Sequence, residues 1–401
     1  MIQITDMKVE EKMWPLLRQA FRPFFLLGAT FSAIAMMLWL WVLSGAIQLP
    51  VFADVMFWHA HEMLFGFVAA IIVGFLLTAV QNWTGLRATH GRALAVLTVV
   101  WLLGRLALLF GAWLPVYVPV AIDLLFLPLA AFFLAIPLIT VKQQRNLFFV
   151  PVLLLLTLCN GLMYYGRLTG RFDLQQVGSQ NAVLLITLLM AIVGGRVIPM
   201  FTANGTMTQK VQPLVWLDKL GLGTLWLIFA LQITQLSSFF AGVWLAGLYA
   251  LAAVLLAWRC ARWKPWITLR VPLVWSLHIA YWFLPIGLAL MAWHHFNGEV
   301  TLSTAIHALT AGAMGNMILS MLARVSLGHS GRPLQPKAIM SVAFCLVALA
   351  ALVRVFAVWW WPTMTFDWYL FAGAAWILAY LIYVFVYLPI LTTPRADGRP
   401  G

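Results

Sequence analysis

Apolar residues run in long stretches along this chain, and the polar residues gather in short breaks between them. A helix needs about 20 apolar residues to cross a hydrocarbon core about 30 Å thick. Twelve stretches approach or exceed that length, over residues 24–43, 58–80, 93–111, 117–139, 148–166, 180–203, 220–237, 241–258, 271–293, 303–324, 339–358 and 367–390. A helix satisfies its backbone hydrogen bonds within its own segment, which hydrocarbon demands. The pattern therefore predicts an all-α, polytopic membrane protein of twelve transmembrane helices. Residues 1–19 read as a cytoplasmic N-terminal lead-in, 20–392 as a single membrane domain and 393–401 as a cytoplasmic tail.

The breaks between spans set the orientation. Lys8, Lys12, Arg18 and Arg22 precede the first span, and Arg87, Arg92, Lys142, Arg145, Lys210, Lys219, Arg259, Arg262, Lys264, Arg270, Arg332, Lys337, Arg395 and Arg399 follow even-numbered spans. The alternate breaks hold Arg167 and Arg171 beside Asp54, Asp173, Glu299 and Asp367. Short loops rich in Lys and Arg stay in the cytoplasm, so both termini are expected there.

The spans also repeat. GFLLTAVQNWTG (74–85), VGGRVIPMFTANG (193–205) and ILSMLARVSLGHSG (318–331) end on Gly85, Gly205 and Gly331, which are 120 and 126 residues apart. A proline opens each unit (Pro23, Pro151, Pro272), and an acid precedes each second helix (Asp54, Asp173, Glu299). The chain thus reads as three pseudo-equivalent four-helix units, about 20–140, 146–262 and 270–392, with their second helices facing a common interior.

Composition agrees with the pattern and removes other classes. At 64% hydrophobic and 9% charged residues, a soluble globule could not hide its apolar surface; the lipid bilayer is the natural partner. The net charge of +13 is spread thinly and forms no basic stripe, so nucleic acid is not an expected partner. Cys159, Cys260 and Cys345 lie far apart, without CxxC or zinc spacing. No P-loop, GxGxxG, HExxH or serine-nucleophile signature stands in a credible context.

Ionisable residues inside a span cost roughly 2.5–3.5 kcal/mol each and usually serve a purpose. Twenty-four residues before the three terminal glycines lie His61, Asn181 and His307. Equal register makes His61 and His307 candidates for the two axial ligands of one haem, with a hydrogen-bonded pair of core histidines as the alternative. Imidazole suits haem iron and copper alike. His59 lies about 200° from His61 round a helix, which leaves it for a second metal or for the interface beside Trp58. Glu62 can orient a ligand or carry protons. His278 is too deep to reach the interface and is a further ligand candidate; His294 and His295 stand at a span end. Arg196 and Arg324 are candidates for an anionic cofactor group or a lipid phosphate, against simple snorkelling. His329 closes the tenth span. Arg105 and Asp123, on consecutive spans at matched depth, are expected to form a buried pair.

FRPFFLLGA, WHAHEMLFGF, GFLLTAVQNWTG, WLLGR, GGRVIPMFTANG and HALTAGAMGNMILSMLARVSLGHSGRPL together resemble the NnrS family from about Phe21 to about Pro389. The resemblance implies a twelve-helix bacterial inner-membrane protein containing haem, taken as b type, and copper. It implies a place in denitrification and in nitric oxide handling or resistance to nitrosative stress, including redox chemistry at a metal. Its characteristic positions are His59, His61, Glu62, Arg196, Pro199, Asn204, His278, His307, Arg324 and His329, of which His329 joins the histidines as a metal candidate. Gln81 stands where proline is expected. The three-arc plan is also similar to haem–copper oxidases, whose low-spin haem is held by histidines on the second and tenth helices. The alternative function is a transporter that moves a small anion, a proton or a metal complex past buried Arg, Glu and His.

Overall fold

The computed structural model describes residues 11–239 and 241–399 of the chain. Residues 1–10 of the expected lead-in, with its cation Lys8, lie outside the described residues, as do the last two residues of the tail.

Twelve helices are long and apolar enough to cross a membrane: α1 (Phe21–Leu43), α2 (Val55–Thr84), α3 (Gly91–Leu109), α4 (Tyr117–Thr140), α5 (Gln144–Leu168) and α6 (Phe172–Thr206), then α7 (Val215–Ile233), α8 (Gly242–Ala261), α9 (Pro272–Asn297), α10 (Leu302–His329), α11 (Ile339–Trp360) and α12 (Pro362–Thr392). Each matches an expected span, and no strand occurs among the described residues. The protein is a multi-pass helical membrane protein. The most enclosed helices are α2, α9, α10 and α6. Three of these are the predicted second helices; α9 joins them outside that plan.

Packing groups the chain into two compact units that do not follow the three-unit boundaries. The first holds Met1–Ser179, Leu322–Gln335 and Tyr380–Gly401, and the second Gln180–Met321 and Pro336–Ala379. In the first, α2 packs on α1 and α4, and α4 on α3 and α5. The tail returns within it: Arg22 donates through Nη1 to the carbonyls of Leu391 (2.9 Å) and Thr393 (2.6 Å), and Ala396 N–H to that of Ser330 (2.9 Å). In the second, α8 packs on α7 and α9, and α9 on α10.

α2 and α10 share several local features. Asp54 caps α2 by accepting from Phe57 N–H (2.8 Å), and Thr301 caps α10 by accepting from Thr304 N–H (3.2 Å). Immediately after His61 the backbone widens into a π-helix over Glu62–Val68, and immediately after His307 into another over Ala308–Gly315. A π-turn disturbs the regular ladder and alters which carbonyls are satisfied, and it recurs at functional sites. Trp101 Nε1 donates to Gly66 O (2.9 Å) in one, and Asn316 Nδ2 to Gly312 O (2.8 Å) in the other. Gly85 and Gly331 both take the left-handed backbone of a helix end, with φ of 69° and 70°. The middle unit differs: α6 carries no π-segment, and Gly205 stays inside it. The acids expected before each second helix share no role either. Asp173 pairs with Arg171, and Glu299 accepts from the Trp293 indole while Thr301 makes the cap.

Candidate functional site

A buried charge cluster lies in the first unit. Arg105 of α3 donates through Nη1 to Glu62 Oε2 (2.7 Å) and through Nη2 to Asp123 Oδ1 of α4. The pair expected from matched depth is present, with Glu62 as an unexpected second carboxylate. Asp123 Oδ2 also accepts from Asn160 Nδ2 (2.7 Å) and the Tyr164 hydroxyl (3.0 Å), both on α5. His61 Nε2 lies 2.9 Å from Asn160 Oδ1 and 3.1 Å from Asp123 Oδ2, and its Nδ1 lies 3.4 Å from Glu62 Oε1. His61 and Glu62 are completely buried. Gly66 makes the cluster possible, because a Cβ there would stand 2.5 Å from Glu62 Oε2 and 2.7 Å from Arg105 Nη1.

This arrangement bears on haem ligation by His61. A ring nitrogen binds iron through a lone pair. Nε2 faces two oxygen acceptors, so it carries its proton there, and Nδ1 faces a carboxylate. His61 as it stands is a hydrogen-bonding member of the cluster, and an axial role requires exchange of those contacts. His59, as the 200° separation predicts, turns elsewhere and stacks on Trp39 at 4.2 Å.

The second unit contains a different polar group. His278 of α9 is buried, with Nε2 2.9 Å from the Thr202 hydroxyl of α6 and Nδ1 buried without a hydrogen-bond partner. When Nε2 donates to Thr202, Nδ1 keeps an unused lone pair. Metal-binding histidines are commonly oriented in this way, by an oxygen on the second ring nitrogen, so His278 fits an imidazole ligand. His295 also has a partnerless buried Nε2 and stacks on Tyr249 (5.4 Å). His294 Nδ1 is 2.8 Å from Val300 O. His307 is half-buried, with Nδ1 2.7 Å from Ser303 O. His329 packs on Phe21 (5.7 Å). His61 and His307 belong to different compact units. Among the described residues no three His, Cys, Asp or Glu side chains gather as a metal site.

The arginines exchange roles relative to expectation. Arg196 is exposed, whereas Arg259, read from its position as a loop cation, is buried. Arg259 pairs with Asp218 (2.7 Å), donates to Ala191 O (2.6 Å) and the Tyr281 hydroxyl (2.9 Å), and lies over Trp263. Arg324 is buried near the end of α10. The glycines of GGRVIP explain the seat of Arg259: a Cβ at Gly195 would collide with its guanidinium, and one at Gly194 would lie 2.9 Å from the Tyr281 ring. Alanine in a helix ordinarily gains about 1 kcal/mol over glycine. Gly195→Ala is expected to reverse that sign and destabilise by about 1–3 kcal/mol through overpacking, read as a lowered unfolding temperature in detergent. An unchanged or raised temperature would show that Arg259 has room to move.

No curated protein matches this sequence. The family model described as NnrS protein matches residues 15–395, nearly the whole chain, and its span takes in all twelve helices. On that match, the chain belongs to the NnrS family.

Proposed function

We propose that this chain is a haem- and copper-binding protein of the bacterial inner membrane that handles nitric oxide or confers resistance to nitrosative stress. Family membership supports a membrane protein of the nitric oxide response. The observation that carries the haem reading is His278, a buried imidazole with one nitrogen oriented by Thr202 and the other unused. A bound haem would supply a redox-active iron able to take a small diatomic ligand. The protein's own part is to hold the imidazole in one tautomer and to keep water away from it. His59, His61, His307, His329, Arg196 and Arg324 remain proposed contacts of haem or metal, His61 only after release from its carboxylates. Copper enters this reading from the family likeness alone. The test is an absorption spectrum with metal analysis on purified protein. A Soret band with iron supports the reading, and a colourless, metal-free protein overturns it.

The buried cluster of His61, Glu62, Arg105 and Asp123 favours a second reading, a proton or anion transporter, because such groups mark pathways through membranes. That reading predicts a colourless protein and flux across vesicles. Both readings place the two termini on the cytoplasmic side, from the loop cations. Reporter fusions at each terminus are expected to score cytoplasmic, and periplasmic scores at both would reverse the topology.

A further inference from the structure

Arg354 is half-buried, one and a half turns inside the Trp360 end of α11. A π-helix over Val353–Ala357 interrupts the helix at this residue. Its guanidinium stacks on Tyr369 of α12, with Cζ 4.5 Å from the ring centre, and donates through Nη2 to the Ser303 hydroxyl of α10 (3.0 Å). Ser303 is held in turn, because its hydroxyl and carbonyl oxygens lie 3.4 Å and 2.7 Å from His307 Nδ1. The fork is thus fixed from two sides, unlike a freely snorkelling side chain.

Its charge is unmatched. Among the described residues no carboxylate pairs with Arg354, whereas the buried Arg259 of the same unit has both an acid and a carbonyl beside it. The acids of this unit are engaged elsewhere or turned away, Asp218 by its pair with Arg259. Glu299 accepts from the Trp293 indole (3.1 Å). Asp367 is two residues from Tyr369, about 200° round the same helix. A guanidinium has five N–H donors, and here Ser303 takes one. The depth is suited to an anion of the membrane surface. Arg354 is about 9 Å along the helix from Trp360, and Trp359, Trp360 and Trp361 form an aromatic group at that end, with Trp293 against Trp359 (5.2 Å). Tryptophans of this kind mark the headgroup level.

We propose that Arg354, fixed by Tyr369 and Ser303, binds a phosphate-type oxyanion, carried by a phospholipid headgroup or free in solution. The planar fork matches two oxygens of such a group, which an ammonium cannot do. The site uses neither His278 nor His61, and it touches the proposed haem contacts only through the Ser303–His307 hydrogen bonds.

The purified full chain, reconstituted in nanodiscs of phosphatidylcholine with a minority of phosphatidylglycerol, is transferred to detergent, and the retained lipid is read by native mass spectrometry. The wild type is expected to retain phosphatidylglycerol preferentially. Arg354→Gln should lower that retention about tenfold or more, the loss of charged hydrogen bonds, and Arg354→Lys should fall between. A second arm adds inorganic phosphate to delipidated protein and follows thermal unfolding. Stabilisation that disappears in Arg354→Gln assigns the site to a free anion. Tyr369→Leu leaves the charge in place and loosens the fork, so partial loss in it supports the site even where Arg354→Gln does not fold. Equal lipid retention by wild type, Arg354→Gln and Tyr369→Leu, with no stabilisation by phosphate, overturns the proposal.

Discussion

Arg105→Met is expected to destabilise the protein by about 3–5 kcal/mol, the usual cost of leaving a buried partner charge uncompensated. The case here is stronger than for a simple pair, since one guanidinium serves both Glu62 and Asp123. With Arg105 removed, two carboxylates face a pocket that is almost closed to solvent. Asn160 and Tyr164 still donate to Asp123, but Glu62 keeps only its long contact to His61. Loss is therefore expected to fall mainly on the Glu62 side. Adding Glu62→Gln to Arg105→Met should recover more stability than adding Asp123→Asn, a coupling that a double-mutant cycle reads directly. Unfolding in mixed micelles, followed by tryptophan fluorescence, checks both statements. Should Arg105→Met unfold within about 1 kcal/mol of wild type, the cluster is solvated by water or mobile enough to rearrange.

Much of this architecture is written in the sequence, because hydrocarbon imposes a coarse rule that single residues seldom overturn. The twelve spans follow from length and apolarity alone. Depth alone pairs Arg105 with Asp123, since two charges at one level of adjacent helices have few other partners. Their remaining companions were not legible. Asn160 and Tyr164 are ordinary residues, 99 and 103 positions from His61 in the chain, and only helix rotation turns them inward. Arg259 lies near the end of an apolar run, where its position resembles that of any loop cation. What buries it is the absence of side chains at Gly194 and Gly195 on another helix, and empty space leaves no polar signature. α2 and α10 each carry a π-segment just after the histidine of equal register, yet Gly205 shows that a shared glycine does not fix a shared backbone. Equal register likewise singled out His61 and His307 without revealing that carboxylates surround one of them.

Haem content is expected to depend on His278 more steeply than on His61. His278→Ala removes the buried imidazole whose Nδ1 has no protein partner, so the Soret band should vanish or shift to that of a differently ligated iron. Thr202→Val keeps that imidazole but deletes the oxygen on its Nε2. Loss of such an orienting partner typically weakens metal binding by about 10- to 100-fold, and the band should survive only with excess haem. His61→Gln behaves differently on this reading. A glutamine amide can donate to Asp123 and Asn160 in place of Nε2, so the cluster keeps a donor there and haem content stays near wild type while thermal stability falls. Iron-to-protein ratio, Soret position and unfolding temperature, measured together on the three variants, separate a ligand from a packing residue. If His61→Gln strips the haem and His278→Ala retains it with an unchanged spectrum, then His61 exchanges its carboxylates for iron in the loaded protein. In that outcome the register of His61 and His307 would be the better guide to the cofactor, and the unused nitrogen of His278 would belong to the apolar core alone.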